Sequence, residues 1–65
     1  MNRRYRDILS TILNTDECIT GNELAKHCDV SIRTIRQDIK EINVLLKEYN
    51  IEIASRVKKG YFLNK

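Results

Sequence analysis

The chain has 65 residues, and 12 Lys and Arg against 9 Asp and Glu give it a net charge of +3. That length holds one small domain and no deep catalytic cleft, because domains below about 50 residues rarely fold alone. With 42% apolar and 32% charged residues the composition is globular, and no apolar run approaches the roughly 20 residues that span a bilayer. No charged segment leads into an apolar one as in a signal peptide, so the expectation is a cytoplasmic protein with no membrane partner. Cys18 and Cys28 read as reduced thiols. With His27 they are the only soft metal ligands, one short of a closed zinc site, so neither metal nor cofactor is expected.

Tyr5, Ile8, Leu9, Ile12 and Leu13 recur at helical spacing and predict a first amphipathic helix with one apolar stripe. Asn14-Thr15-Asp16 ends it with turn-forming residues. Thr20 and Glu23 then stand at the spacing of a capping box, with Ile19 and Leu24 at the staple positions. The second helix is short. Leu24, Ala25 and Cys28 face inward and Asp29 closes it. Only Val30 separates Asp29 from the next cap, Ser31, and Val30 with Ile35 repeats the staple relation. Two capped helices joined by so short a turn predict a helix-turn-helix.

The third helix is the longest, ending near Tyr49-Asn50. Ile32, Ile35, Ile39, Ile42 and Leu46 fall within an arc of about 80°. Arg33, Arg36, Gln37 and Lys40 occupy a second arc about 135° away, which contains no acid. Thr34, Asp38 and Glu41 lie on a third flank. Ile51 and Ile53 then alternate with Glu52 and Ala54, Lys58-Lys59-Gly60 forms a turn, and Tyr61-Phe62-Leu63 is a return strand. The expected fold class is α+β: three helices followed by a two-stranded antiparallel wing, filling residues 1–65 as one domain.

The cationic arc carries the chemistry. Arginine binds guanine O6 and N7 bidentately, glutamine matches adenine, and lysine neutralises phosphate. These residues stand in the first turns of the helix, where recognition helices meet bases. Ser31 and Thr34 place hydroxyls at its N-terminus, where a phosphate oxygen also fits. The bland alternative is a solvated face, but such faces mix acids with bases at pairing distance. Arg56, Lys58 and Lys59 surround the hairpin tip and suit a phosphate backbone, although lysines also protect edge strands from aggregation. Arg3, Arg4 and Thr20 are further candidate backbone contacts. Val44, Leu45 and an exposed Phe62 are a candidate protein-contact patch. No catalytic constellation is present, so no enzyme is expected.

Leu24-Ala25, Val30-Ser31, Thr34-Ile35 and Asp38-Ile39, followed by Gly60-Tyr61 and Leu63, resemble the winged helix-turn-helix of the DeoR and biotin-repressor type. The resemblance runs from about Arg4 to Leu63 and is greatest to the N-terminal DNA-binding domain of bacterial sugar-operon regulators controlled by the phosphotransferase system. These include the mannitol-operon activator and Mga-like groups. Val57 and Phe62 depart from that pattern. The resemblance implies Ser31, Arg33, Thr34, Arg36, Gln37 and Lys40 as the major-groove set, and Arg56, Lys58 and Lys59 as the wing set. It gives Asp38 a structural role, orienting a neighbouring basic residue. The expected function is sequence-specific binding of double-stranded DNA by the N-terminal fragment of a longer regulator. The isolated domain is expected to be monomeric, and the full-length protein a homodimer through downstream domains. The alternatives are a winged-helix protein-interaction module and an RNA-binding antiterminator module that stacks bases on Tyr61 and Phe62.

Overall fold

A computed structural model describes residues 2–64. Three helices come first: α1 (Arg3–Leu13), α2 (Gly21–Cys28) and α3 (Ile32–Leu46), the last extended by a 3-10 turn over Lys47–Tyr49. Strands β1 (Glu52–Arg56) and β2 (Gly60–Asn64) then form one antiparallel hairpin. Ile53 pairs with Leu63, Ser55 with Tyr61 and Arg56 with Gly60.

Each helix starts where a side chain can accept from free backbone N–H groups. The Asn2 side chain accepts from the Tyr5 N–H at 2.9 Å. Thr20 and Glu23 form the full capping box at α2, and the Ser31 hydroxyl accepts from the Thr34 N–H at 3.1 Å. Helix α2 stops at Asp29, which takes a left-handed φ of 57°. The Val30 N–H then reaches back to the Ala25 carbonyl at 3.0 Å, the long bond of a Schellman closure. That closure turns the chain within two residues and sets the angle between α2 and α3.

The core is largely isoleucine: Ile8, Ile12, Ile19, Ile35, Ile39, Ile42 and Ile53 are buried with Leu24 and Ala25. Tyr5, Leu9, Cys28, Val30, Ile32, Leu46, Tyr61 and Leu63 pack around it. Leu13 departs from the expected stripe and is 58% exposed. At 100° per residue it lies at the edge of the α1 arc, well round from Ile8 and Ile12.

Two contacts secure the hairpin, and neither was expected from local patterns. Ile19 and Tyr61 form an isolated antiparallel bridge, with N–H to carbonyl distances of 3.0 and 2.7 Å. The Asn43 amide does the same for the other strand: it donates to the Ile53 carbonyl at 3.1 Å and accepts from the Ile53 N–H at 2.7 Å. Both edges of a two-stranded sheet are thereby partly satisfied, one by backbone and one by a side chain on α3.

Candidate nucleic-acid interface

Helix α3 buries Ile35, Asp38, Ile39 and Ile42. Burying that side turns Arg33, Arg36, Gln37 and Lys40 to the surface. All four are exposed, and none of the three cations has an ion-pair partner among the described residues. Ser31 and Thr34 stand at the same end, with their hydroxyls 3.1 Å apart.

The acids of this helix are held on its other flank by α1. Asp38 is only 2% exposed and receives both Nε and Nη2 of Arg4, the latter 3.1 Å from Oδ1. A buried carboxylate is tolerated because a forked, charge-assisted partner satisfies it. The pair with Asp38 also pushes the Arg4 guanidinium further above its usual pKa. Glu41 accepts from the Tyr5 hydroxyl, and that hydrogen bond raises the tyrosine pKa above 10.0. Helix α1 therefore engages the two acids nearest the cationic arc.

Arg4, a sequence candidate for a backbone contact, forks onto Asp38 while its own side chain stays 41% exposed. The resemblance gave Asp38 the orienting role, and Arg4 is the residue it orients. Arg3, by contrast, is exposed and without an ion-pair partner among the described residues. Thr20 has its hydroxyl in the capping box, 3.1 Å from both the Glu23 nitrogen and a Glu23 carboxylate oxygen.

At the hairpin tip, the Lys59 N–H bonds to the Arg56 carbonyl at 3.1 Å, and Lys58 takes a left-handed φ of 65°. Val57 is 89% exposed there. Arg56 is not a free cation in the same sense as Lys58 and Lys59. Its guanidinium carbon lies 4.8 Å from the centre of the Phe62 ring. Phe62 is half-buried, not exposed as the sequence suggested. Val44 is 75% and Leu45 46% exposed, as the apolar-patch reading expected.

The Ile19–Tyr61 bridge decides how these parts sit together. It ties β2 to the residue just before the α2 cap, and a methyl group at Gly21 would touch both Tyr61 and Ile32. The starts of α2 and α3 and the tip-side half of the wing therefore adjoin. Elsewhere, Cys18 and Cys28 are free thiols, and burial pushes the Cys28 thiol up. Among the described residues, no three His, Cys, Asp or Glu side chains gather as a metal site, and no helix is long and apolar enough to cross a membrane.

A capped helix, a three-residue turn, a second helix with a bare cationic arc and an antiparallel hairpin define a winged helix-turn-helix. Residues 4–62 match the family described as HTH domain, and the chain belongs to that family. It is a family of DNA-binding regulatory domains, so DNA is the partner class that membership brings. No curated protein and no solved structure matches the chain.

Proposed function

We propose that this chain binds specific sequences of double-stranded DNA as the recognition domain of a bacterial transcription regulator. In this reading α3 enters the major groove. Arg33, Arg36 and Gln37 face base edges, while Lys40, Ser31 and Thr34 meet phosphate oxygens. Arg56, Lys58 and Lys59 lie on the backbone beside it, and Arg3 adds charge at the rim. The sugar-operon regulators of the phosphotransferase system are the class whose pattern the chain most resembles. Two copies on adjacent half-sites, joined through other parts of a longer protein, complete the proposal.

One observation carries this reading. The cationic arc of α3 is exposed and, among the described residues, without an ion-pair partner, while Asp38 and Glu41 are engaged by Arg4 and Tyr5 on another face. A merely solvated helix face commonly sets acids three or four residues from its bases, and neither Asp38 nor Glu41 stands at that spacing from Arg33, Arg36 or Lys40.

The test is an amide titration by ¹⁵N NMR with a mixed-sequence duplex at low and high salt. Shifts confined to residues 31–40 and 56–60, weakening steeply with salt, are expected from counterion release. Arg33→Ala and Arg36→Ala should each weaken binding to a preferred duplex by about 1–3 kcal/mol and relax selectivity at one position. Absence of shifts at low salt would remove DNA as the ligand of the domain.

A further inference from the structure

We propose that Phe62 is a positioning residue for DNA binding, its ring holding the Arg56 guanidinium on the outer face of the wing where its N–H edge can meet a phosphate. The inference rests on the DNA-binding reading above and adds to it a residue whose aromatic side chain touches no nucleic acid.

The register explains how the contact forms. Arg56 pairs with Gly60, and Ala54 pairs with Phe62. Arg56 and Phe62 are therefore diagonal neighbours on one face of the hairpin, within reach of a long side chain. Gly60 offers no side chain opposite Arg56, so the guanidinium folds across to the ring, 4.8 Å from its centre. A cation over an aromatic face uses none of its five N–H donors, so all remain available to oxygen acceptors.

The ring also settles a competition. Asp16, Glu17, Cys18 and Phe62 line one hollow together with Arg56 and Lys59. Two carboxylates thus stand near the arginine, yet among the described residues neither forms an ion pair with it. Phe62 keeps the guanidinium from those acids and fixes it before DNA arrives. Pre-ordering a long side chain lowers the entropy lost on binding. Among the described residues no aromatic ring underlies Lys58 or Lys59, so the proposal singles out Arg56 as the pre-positioned cation of the wing.

The experiment is equilibrium titration of the 65-residue chain against a mixed-sequence duplex at several salt concentrations. Phe62→Leu should bind about twofold to fivefold more weakly at low salt, and Phe62→Tyr should bind as the unmodified chain does. Arg56→Met should make the logarithmic salt slope shallower by about 0.9. With methionine at position 56, Phe62→Leu should cause no further loss. Equal loss from Phe62→Leu in both backgrounds would show a structural role only and overturn the inference, as would no loss in either. If Arg56→Met leaves binding intact while Arg33→Ala weakens it, the inference fails and the major-groove reading survives. If neither weakens binding, both fail. A measurement on the unmodified chain guards against a variant that does not fold. The Arg56 δ protons should be shifted upfield by the ring, free and bound. Loss of that shift on adding DNA would also overturn the inference.

Discussion

Lys58 serves two ends that pull apart. Its φ of 65° is a left-handed conformation that costs a residue with a β-carbon about 1–2 kcal/mol. Its charge, at the exposed tip, suits a phosphate. Lys58→Gly removes the strain at some entropic cost, so stability should rise by about 0.5–1 kcal/mol while DNA binding weakens and its salt slope flattens by about 0.9. Denaturant unfolding and titration of the same variant check both signs, and a variant that is both less stable and tighter-binding would contradict them. Tyr5 gives a pH signature. Its hydroxyl donates to Glu41, so its folded pKa lies above the ordinary 10.0. A raised folded pKa means the stabilisation is complete below pH 10.0 and is lost as pH climbs through the folded value. The stability difference between the unmodified chain and Tyr5→Phe should therefore be constant near neutrality and shrink above pH 10.0. Urea unfolding of both across that range measures it.

Between elements, Gly60 and Gly21 pose opposite cases. Gly60 has φ 114°, and a methyl group there would run into the Ile19 carbonyl oxygen and stand 2.8 Å from the Thr20 nitrogen. At Gly21 the nearest atoms would be Tyr61 Cε2 at 3.5 Å and Ile32 Cγ2 at 3.8 Å, ordinary contact distances. Gly60→Ala should destabilise by about 2–4 kcal/mol, combining backbone strain with loss of the Ile19–Tyr61 bridge. Gly21→Ala should stay within about 0.5 kcal/mol of the unmodified chain. Thermal unfolding of the pair separates steric need from mere location. The same comparison shows what could be read from sequence. Caps, helix faces and the short turn depend on residues three or four apart, so their spacing discloses them. The cationic arc of α3 was legible for that reason: helical geometry alone puts Arg33, Arg36, Gln37 and Lys40 together. Arg4 and Asp38 are 34 residues apart, and the choice between a phosphate and an internal carboxylate leaves no mark on spacing. Nor does a single-residue bridge such as Ile19–Tyr61, or an amide such as Asn43 standing in for a strand. Strand alternation puts Phe62 on the outer face of the hairpin, but it does not disclose that Arg56 lies over the ring and that Asp16 and Glu17 border the same hollow, which leaves Phe62 half-buried.

For the whole molecule, the ion pair of Arg4 with Asp38 links the first helix to the proposed reading helix, so stability and docking angle share one contact. Arg4→Met strands a buried carboxylate, whereas in an Asp38→Asn background no charge is left uncompensated. The loss of stability from Arg4→Met should thus be larger when Asp38 is present, and a double-mutant cycle by urea unfolding reads the coupling. Affinity has a different limit. A single module of this size buries about 600–1,000 Å² on DNA, too little for tight specific binding. Its cations nevertheless sit on two elements, α3 and the wing, which predicts a strong salt dependence despite modest affinity. With four to six phosphates neutralised, the logarithmic slope should be about −3.6 to −5.4. Two copies joined by a linker just long enough to span one helical turn along one face of the duplex, and too short to reach its far side, should bind two half-sites one turn apart at least about 100-fold more tightly than one copy binds, because the second contact becomes intramolecular. Moving the half-sites by half a turn should abolish that gain, since the second module would then face the wrong side of the duplex. An equal gain at both spacings would mean that the linked copies gather on DNA by charge alone and that α3 does not enter the groove in a fixed orientation.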